Sequence, residues 1–336
     1  MPTSHHPTLI RLAARATFSQ WEKEREPSAM TVPSDSSRPA LISALGCYVI
    51  WGFMPLLFMG QAAAGFDAFE ILAHRALWSV LFAAGLVWLA GQSSHVRAAL
   101  KQPRTLAWLG LSTVLIAVNW GVYVWATTHH ATLEASLGYY INPLLNMVVG
   151  LWLFREKIDK WGWVAIGLAA VGVLVQALAL GRPPWISLIL AFSFASYGII
   201  RKRVPIEAQA GLLIECLLLL PFGIAWVLWL ASTGQGVAFD DAGHLGWAVL
   251  NGPMTVLPLA LFAWSARRLP LSTIGFVQFL APTLQFAVGV WAGEDLTLLR
   301  VVSFAFIWTG ALVFAAAALG RSHAARRALR GVVEPI

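Results

Sequence analysis

GYYINPLLNMVVGLWLFREKI, residues 138–158, and FVQFLAPTLQFAVGVWAGEDL, residues 276–296, share one pattern: an apolar run, a proline, a second apolar run, a glycine and an acid. The alignment sets Pro143 against Pro282 and Gly150 against Gly289, a spacing of about 139 residues. It extends upstream to Trp125 against Trp264. After a one-residue gap it extends downstream to Glu156 against Glu294 and Gly172 against Gly310. Apolar segments resemble one another by chance, but five matches in one order favour an internal repeat.

Composition points to lipid as the solvent around that repeat. The 336 residues are 58% hydrophobic and only 12% charged, with a mean hydropathy of +0.70. Soluble domains carry about 25% charged residues, so this chain lacks the polar surface to cover itself in water. Runs long enough to cross about 30 Å of hydrocarbon fall near 40–60, 71–90, 105–126, 133–154 and 161–180. Five more fall near 185–200, 210–231, 244–265, 271–291 and 299–319. Barrel strands would be shorter and strictly alternating. Each repeat therefore holds five spans, an odd number, and the second copy must enter the membrane from the opposite side. The expected fold is an all-α polytopic membrane protein with ten transmembrane helices in two inverted-topology five-helix repeats, residues 40–180 and 185–320. Inverted repeats of this kind are a recurrent plan of secondary transporters, with the solute site between the halves.

Lys and Arg set the expected orientation. Even-numbered junctions carry Arg97, Lys101 and Arg104; Arg155, Lys157 and Lys160; Arg201, Lys202 and Arg203; and Arg267 and Arg268. The basic tail, residues 321–336, adds Arg321, Arg326, Arg327 and Arg330, whereas odd-numbered junctions hold only Arg182. Both termini are thus expected in the cytoplasm of a bacterial inner (plasma) membrane. Trp88, Trp108, Trp161, Trp163, Trp185, Trp247 and Trp291 fall near span ends, as an interfacial belt requires.

Residues 1–39 are polar and of mixed charge, and read as a disordered cytoplasmic extension; a start of translation at Met30 is the alternative. The net charge of +7 is scattered in short clusters between apolar runs, which argues against nucleic acid. Cys47 and Cys216 sit inside apolar runs and form neither a disulfide framework nor a metal site. HExxH, P-loop and GxSxG motifs are absent, and His129–His130 is not a metal spacing.

Several segments resemble the RarD-type permeases of the EamA family, in the drug/metabolite transporter superfamily. They are GCYVIWGFMPL (46–56), FEILAHRALWS (69–79), NWGVYVWA (119–126), LEASLGYYINPLLN (133–146), LAFSFASYGIIRK (190–202) and RRLPLSTIGFVQFLAPTLQF (267–286), with the Glu215 region of span seven. The resemblance covers about 40–320 and implies ten spans, two repeats, cytoplasmic termini, a central cavity, and export of metabolites or drugs. The N-terminal extension departs from the family's short start.

Polar side chains inside spans cost about 2.5–3.5 kcal/mol at mid-helix, so they mark the candidate site. Glu70 and His74 share a helical face at the start of span two, beside Arg75, where a proton or an anionic solute group could be handled. The competing reading is a capping box from Asp67 to Glu70, with Arg75 snorkelling to headgroups. Glu215 in GLLIECLLLLP could couple a proton, or simply hydrogen-bond between helices. Asn119 and Trp120, Tyr139, Tyr140 and Asn142, Tyr197, and Gln278 and Gln285 could line a solute cavity or join helices. Pro143 and Pro282 could each break a helix, forming a hinge and exposing carbonyls to a solute.

The leading reading is a secondary permease working by alternating access, open to proton-coupled efflux. A membrane-embedded enzyme would need an acid/base or metal constellation, and none is visible. An assembly protein or channel would give no saturable flux. The expected partners are a small-molecule solute and membrane lipid, with no nucleic acid, no cofactor and no metal; a homodimer is left open.

Overall fold

The expected spans fall on helices, and their packing follows from small residues and remote caps. The computed structural model describes residues 37–153, 160–266, 268–269 and 277–333. Among these it contains eleven helices and no strand: α1 (Ser37–Ala63), α2 (Ala68–Leu89), α3 (Ser93–Leu100), α4 (Pro103–Thr128), α5 (Thr132–Leu153) and α6 (Lys160–Leu180). Then come α7 (Trp185–Arg203), α8 (Ala208–Thr233), α9 (Ala242–Ala266), α10 (Leu280–Trp291) and α11 (Leu298–Val333). Seven of these, α1, α2, α4, α6, α8, α9 and α11, carry segments long and apolar enough to cross a membrane. The other expected spans coincide with α5 and with the shorter α7 and α10. The extension before Ser37, Arg155, Glu156, Lys157, Arg267 and residues 270–276 lie outside the described residues.

Helix ends are closed by side chains that the local sequence supplies. Asp67 Oδ1 accepts the amides of Phe69 at 2.6 Å and Glu70 at 3.1 Å, and so caps α2. Asp241 does the same for Gly243 and His244 at α9. The His244 amide and side chain hold the Asp241 carboxyl below its usual range. Gly234 ends α8 with φ of 64°, a left-handed conformation that glycine adopts without strain. α5 is closed from a distance: Glu294, after α10, accepts the Thr132 and Leu133 amides at 2.5 and 2.9 Å. Its carboxylate thereby faces the positive end of the α5 dipole.

The two prolines of the aligned segments stand differently in their helices. Pro282 lies in the first turn of α10, directly after a turn at Gln278–Phe279. Pro143 interrupts nothing, because α5 is helical from Thr132 to Leu153. Pro55, Pro221, Pro253 and Pro258 likewise sit inside helices.

α2 packs extensively on both α8 and α9, α7 on α4 and α5, α10 on α5, α4 on α8, and α6 on α11. α1 reaches α9 through Ser43 to the Leu261 carbonyl and Gln61 to the Trp247 carbonyl. It reaches α10 where Gln285 donates to the Trp51 carbonyl at 3.0 Å. Six of the seven expected belt tryptophans are exposed; Trp247 instead packs beside Gly60, where only a glycine leaves room for its ring. The 91–104 junction, expected as a loop, holds the short α3, whose Val96 and Ala99 are buried.

Candidate functional site

Arg75 is the polar centre of the helix bundle. It lies two turns into α2 and is 6% exposed, which rules out the snorkelling alternative. Its Nε donates to Thr255 Oγ1 on α9 at 3.0 Å, and its guanidinium carbon stands 4.2 Å from the Trp120 ring centroid and 5.6 Å from that of Phe58. Such contacts stabilise a desolvated cation by about 0.5–2 kcal/mol each. Tyr123 and Tyr139 lie within electrostatic range of it, their rings edge to face at 5.3 Å.

Around this centre several buried polar atoms have no hydrogen-bond partner. They are Arg75 Nη1, Tyr123 Oη and Gln285 Oε1; Asn142 Oδ1, on α5, is also buried without one. Tyr123 is directed toward Gln285, without reaching acceptable hydrogen-bond geometry. An unmet buried donor or acceptor costs about 1–3 kcal/mol, and such a group in a native structure calls for a water, ion or ligand. Tyr139 donates to Asn119 Oδ1 at 3.1 Å, and the Asn119 amide donates to the Leu190 carbonyl and Ser193, tying α4 and α5 to α7. Asn119 therefore positions Tyr139, and Trp120 supports Arg75.

Glu70 and His74 form a separate cluster one turn before Arg75. Asp67 caps the helix as expected, but Glu70 does not complete a capping box. Its Oε1 instead accepts the amides of Val237 and Ala238 at 3.0 Å each, clasping the α8–α9 connection. His74 Nε2 is 4.0 Å from Glu70 Oε1, and the His74 ring is flanked by Phe66 and Phe239. Glu70 Oε2 and both His74 ring nitrogens are buried without partners.

Glu215, in its apolar run, stands beside a cation. Arg201 Nε, on α7, stands 3.6 Å from Glu215 Oε1; Ser112 donates to Oε1 at 2.6 Å and Tyr197 to Oε2 at 3.1 Å. The Arg201 guanidinium lies over Gly211, where any Cβ would overlap it. Tyr197 thus belongs to the Glu215 cluster, not to the Arg75 centre. Beyond Arg201 a cavity of about 430 Å³ is bordered by His95, Gln102, Thr105 and Glu207.

The remaining expected residues fall elsewhere. The Tyr140 hydroxyl bridges Thr283 on α10 and the Trp308 indole on α11 at 2.5 and 2.6 Å, a helix-joining role. Gln278 is half-buried in the turn before α10, and Pro282 is buried just after it. Of Pro143, only its place inside α5 is described. Thr255, Phe58 and Tyr123 were missed. Tyr123 sits in the quoted NWGVYVWA, and its spacing of three from Trp120 on one helix face was the available signal. Glu134 was missed too: it accepts Arg182 at 3.1 Å and the Ile186 amide at 3.2 Å, joining α5 to the start of α7.

Known proteins are similar to this chain. Residues 38–178 match the EamA-like transporter family. An uncharacterized transporter of Pseudomonas aeruginosa is 41% identical over 300 residues, 89% of this chain and 98% of the relative. Protein RarD of Salmonella typhimurium is 40% identical over 287 residues, 83% of this chain and 95% of the relative. A solved crystal structure aligns with a TM-score of 0.54 at 16% identity, over 82% of this chain and 96% of that one, a likeness of fold.

Proposed function

We propose, from the premise that this chain belongs to the EamA-like transporter family as a RarD-type permease, that it carries a small solute by alternating access between two inverted five-helix halves. The halves are α1, α2, α4, α5 and α6, then α7, α8, α9, the span ending in α10, and α11. The helix contacts support this division because the main ones recur when the halves are exchanged. α2 on α8, α5 on α10 and α6 on α11 map onto themselves, and α2 on α9 maps onto α4 on α8. α7 on α4 has its counterpart in the hydrogen bonds from α1 to α9, and α7 on α5 in the bond from α10 to α1. Near-equivalent halves can exchange conformations, which supplies the two states of similar energy that alternating access needs.

The observation that carries the reading is the convergence of partnerless polar atoms from both halves: Arg75 and Tyr123 from the first and Gln285 from the second. A solute seated there would satisfy them, and its departure would free the halves to rock. Glu70, holding the α8–α9 connection, is the gate at one end; Glu215 with Arg201 is the gate and proton site at the other. The basic junctions support a cytoplasmic Glu215 end, and efflux across the inner membrane is the direction proposed. The partners are the solute and bilayer lipid.

A solute-panel flux assay in proteoliposomes, with and without a proton gradient, tests this. Saturable flux is expected; its absence across the panel, from protein that is folded and inserted, would leave an assembly role instead.

A further inference from the structure

We infer that the solute bound at this site is an anion, a small planar carboxylate joined to an apolar or aromatic body, and that Arg75 receives its charge. The inference deepens the permease reading and rests on it for the site's location.

No countercharge among the described residues is left for Arg75. A guanidinium carries five N–H donors. Arg75 uses Nε on Thr255, and Nη1 is buried with no acceptor. Among the described residues Arg75 makes no ion pair; every buried carboxylate already holds another group, and Glu70, whose Oε2 is free, is not among the groups that act electrostatically on Arg75. Glu70 holds the Val237 and Ala238 amides, Glu134 holds Arg182, Glu215 holds Arg201, and Glu294 holds the Thr132 and Leu133 amides. The other internal cation inside a span, Arg201, shows what a matched pair looks like in this protein. Arg75 is built in the opposite way, more deeply buried than Arg201 and left without an anion.

Its surroundings specify more than charge. The guanidinium fork matches two carboxylate oxygens side by side, and the Tyr123 hydroxyl is a further buried donor beside it. Trp120 and Phe58 offer ring faces for an apolar body, and Tyr139 closes the same side. A cationic solute would meet Arg75 as a like charge, and a neutral one would leave it uncompensated.

Full-length protein in nanodiscs should be titrated by calorimetry and thermal shift with benzoate, phenylacetate and hexanoate. The matched probes are benzamide, phenylacetamide and benzylamine. Carboxylates should bind at least tenfold more tightly than their amides, with benzylamine inert. Arg75→Lys should weaken carboxylate binding at least tenfold, and Arg75→Gln should abolish it. Should the Gln variant fail to fold, the wild-type comparison of acid with amide still decides. Equal binding of amide and acid, preference for the amine, no carboxylate binding, or full carboxylate affinity in Arg75→Lys would each overturn the inference. Carboxylate binding without flux in proteoliposomes would overturn the permease reading and leave the anion site standing. Saturable flux of neutral or cationic solutes alone would do the reverse.

Discussion

Gly172 and Gly310 face each other's helix backbones across the α6–α11 contact. A Cβ at Gly172 would stand 2.9 Å from the Ser303 carbonyl oxygen, and one at Gly310 would stand 3.0 Å from that of Ala165. The proposed repeat aligns these two glycines, and such reciprocity is what two related halves would produce when their last helices pair.

The pair gives a stability prediction. Gly172→Ala meets backbone and the Ile307 side chain, and overpacking of this kind costs about 1–3 kcal/mol. Gly310→Ala should cost less, and Gly167→Ala, with nothing within 4 Å, should be neutral or slightly stabilising. Thermal unfolding of the purified protein orders the three variants. Equal midpoints for the 172 and 167 variants would show that close helix approach does not matter here.

Glu294 should protect the start of α5. Glu294→Ala leaves the Thr132 and Leu133 amides without acceptors, at about 1–3 kcal/mol for each buried group. Hydrogen exchange at these two amides should accelerate in Glu294→Ala and less so in Glu294→Gln, which keeps one acceptor oxygen. Unchanged exchange would remove Glu294 from the capping role.

Most of the fold was legible because a span announces itself as about 20 apolar residues, and α1, α2 and α8 follow that rule closely. α3 was not legible: eight residues with two buried positions make too short a pattern. The site was legible as residue types but not as partnerships. Arg75 and Glu215 stood out as charges in apolar runs, yet Thr255 is 180 positions from Arg75 and carries no local signal. Arg201 was counted as a charge of a basic junction, and only packing shows it turned inward to Glu215. Local sequence likewise gave Asp67 and Glu70 a shared capping box, where the fold gives Glu70 to a loop more than 160 residues away.

That clasp makes its own prediction. Glu70→Ala should release the Val237 and Ala238 amides while leaving the Asp67 cap intact. Limited proteolysis should then cut faster within 234–241, with Glu70→Gln close to wild type. Identical cleavage of Glu70→Ala and wild type would mean that the α8–α9 connection is held by other contacts.

Glu215→Gln keeps one acceptor oxygen, for Ser112 or Tyr197, and strands Arg201 without its countercharge. Breaking a buried pair in this way costs about 3–5 kcal/mol when fully desolvated, and less here because the Arg201 side chain is 14% exposed. If Glu215 is the proton site, flux through Glu215→Gln should lose its dependence on a pH gradient while solute binding persists. A gradient dependence equal to wild type would place proton coupling elsewhere.

Solute flux through the reconstituted protein bears most directly on the Arg75 centre. Wild-type proteoliposomes should show saturable uptake of an aromatic carboxylate, and Arg75→Gln of matched insertion and orientation should reduce it at least tenfold. Saturable uptake that is unchanged in Arg75→Gln would contradict the assignment of the solute site to Arg75.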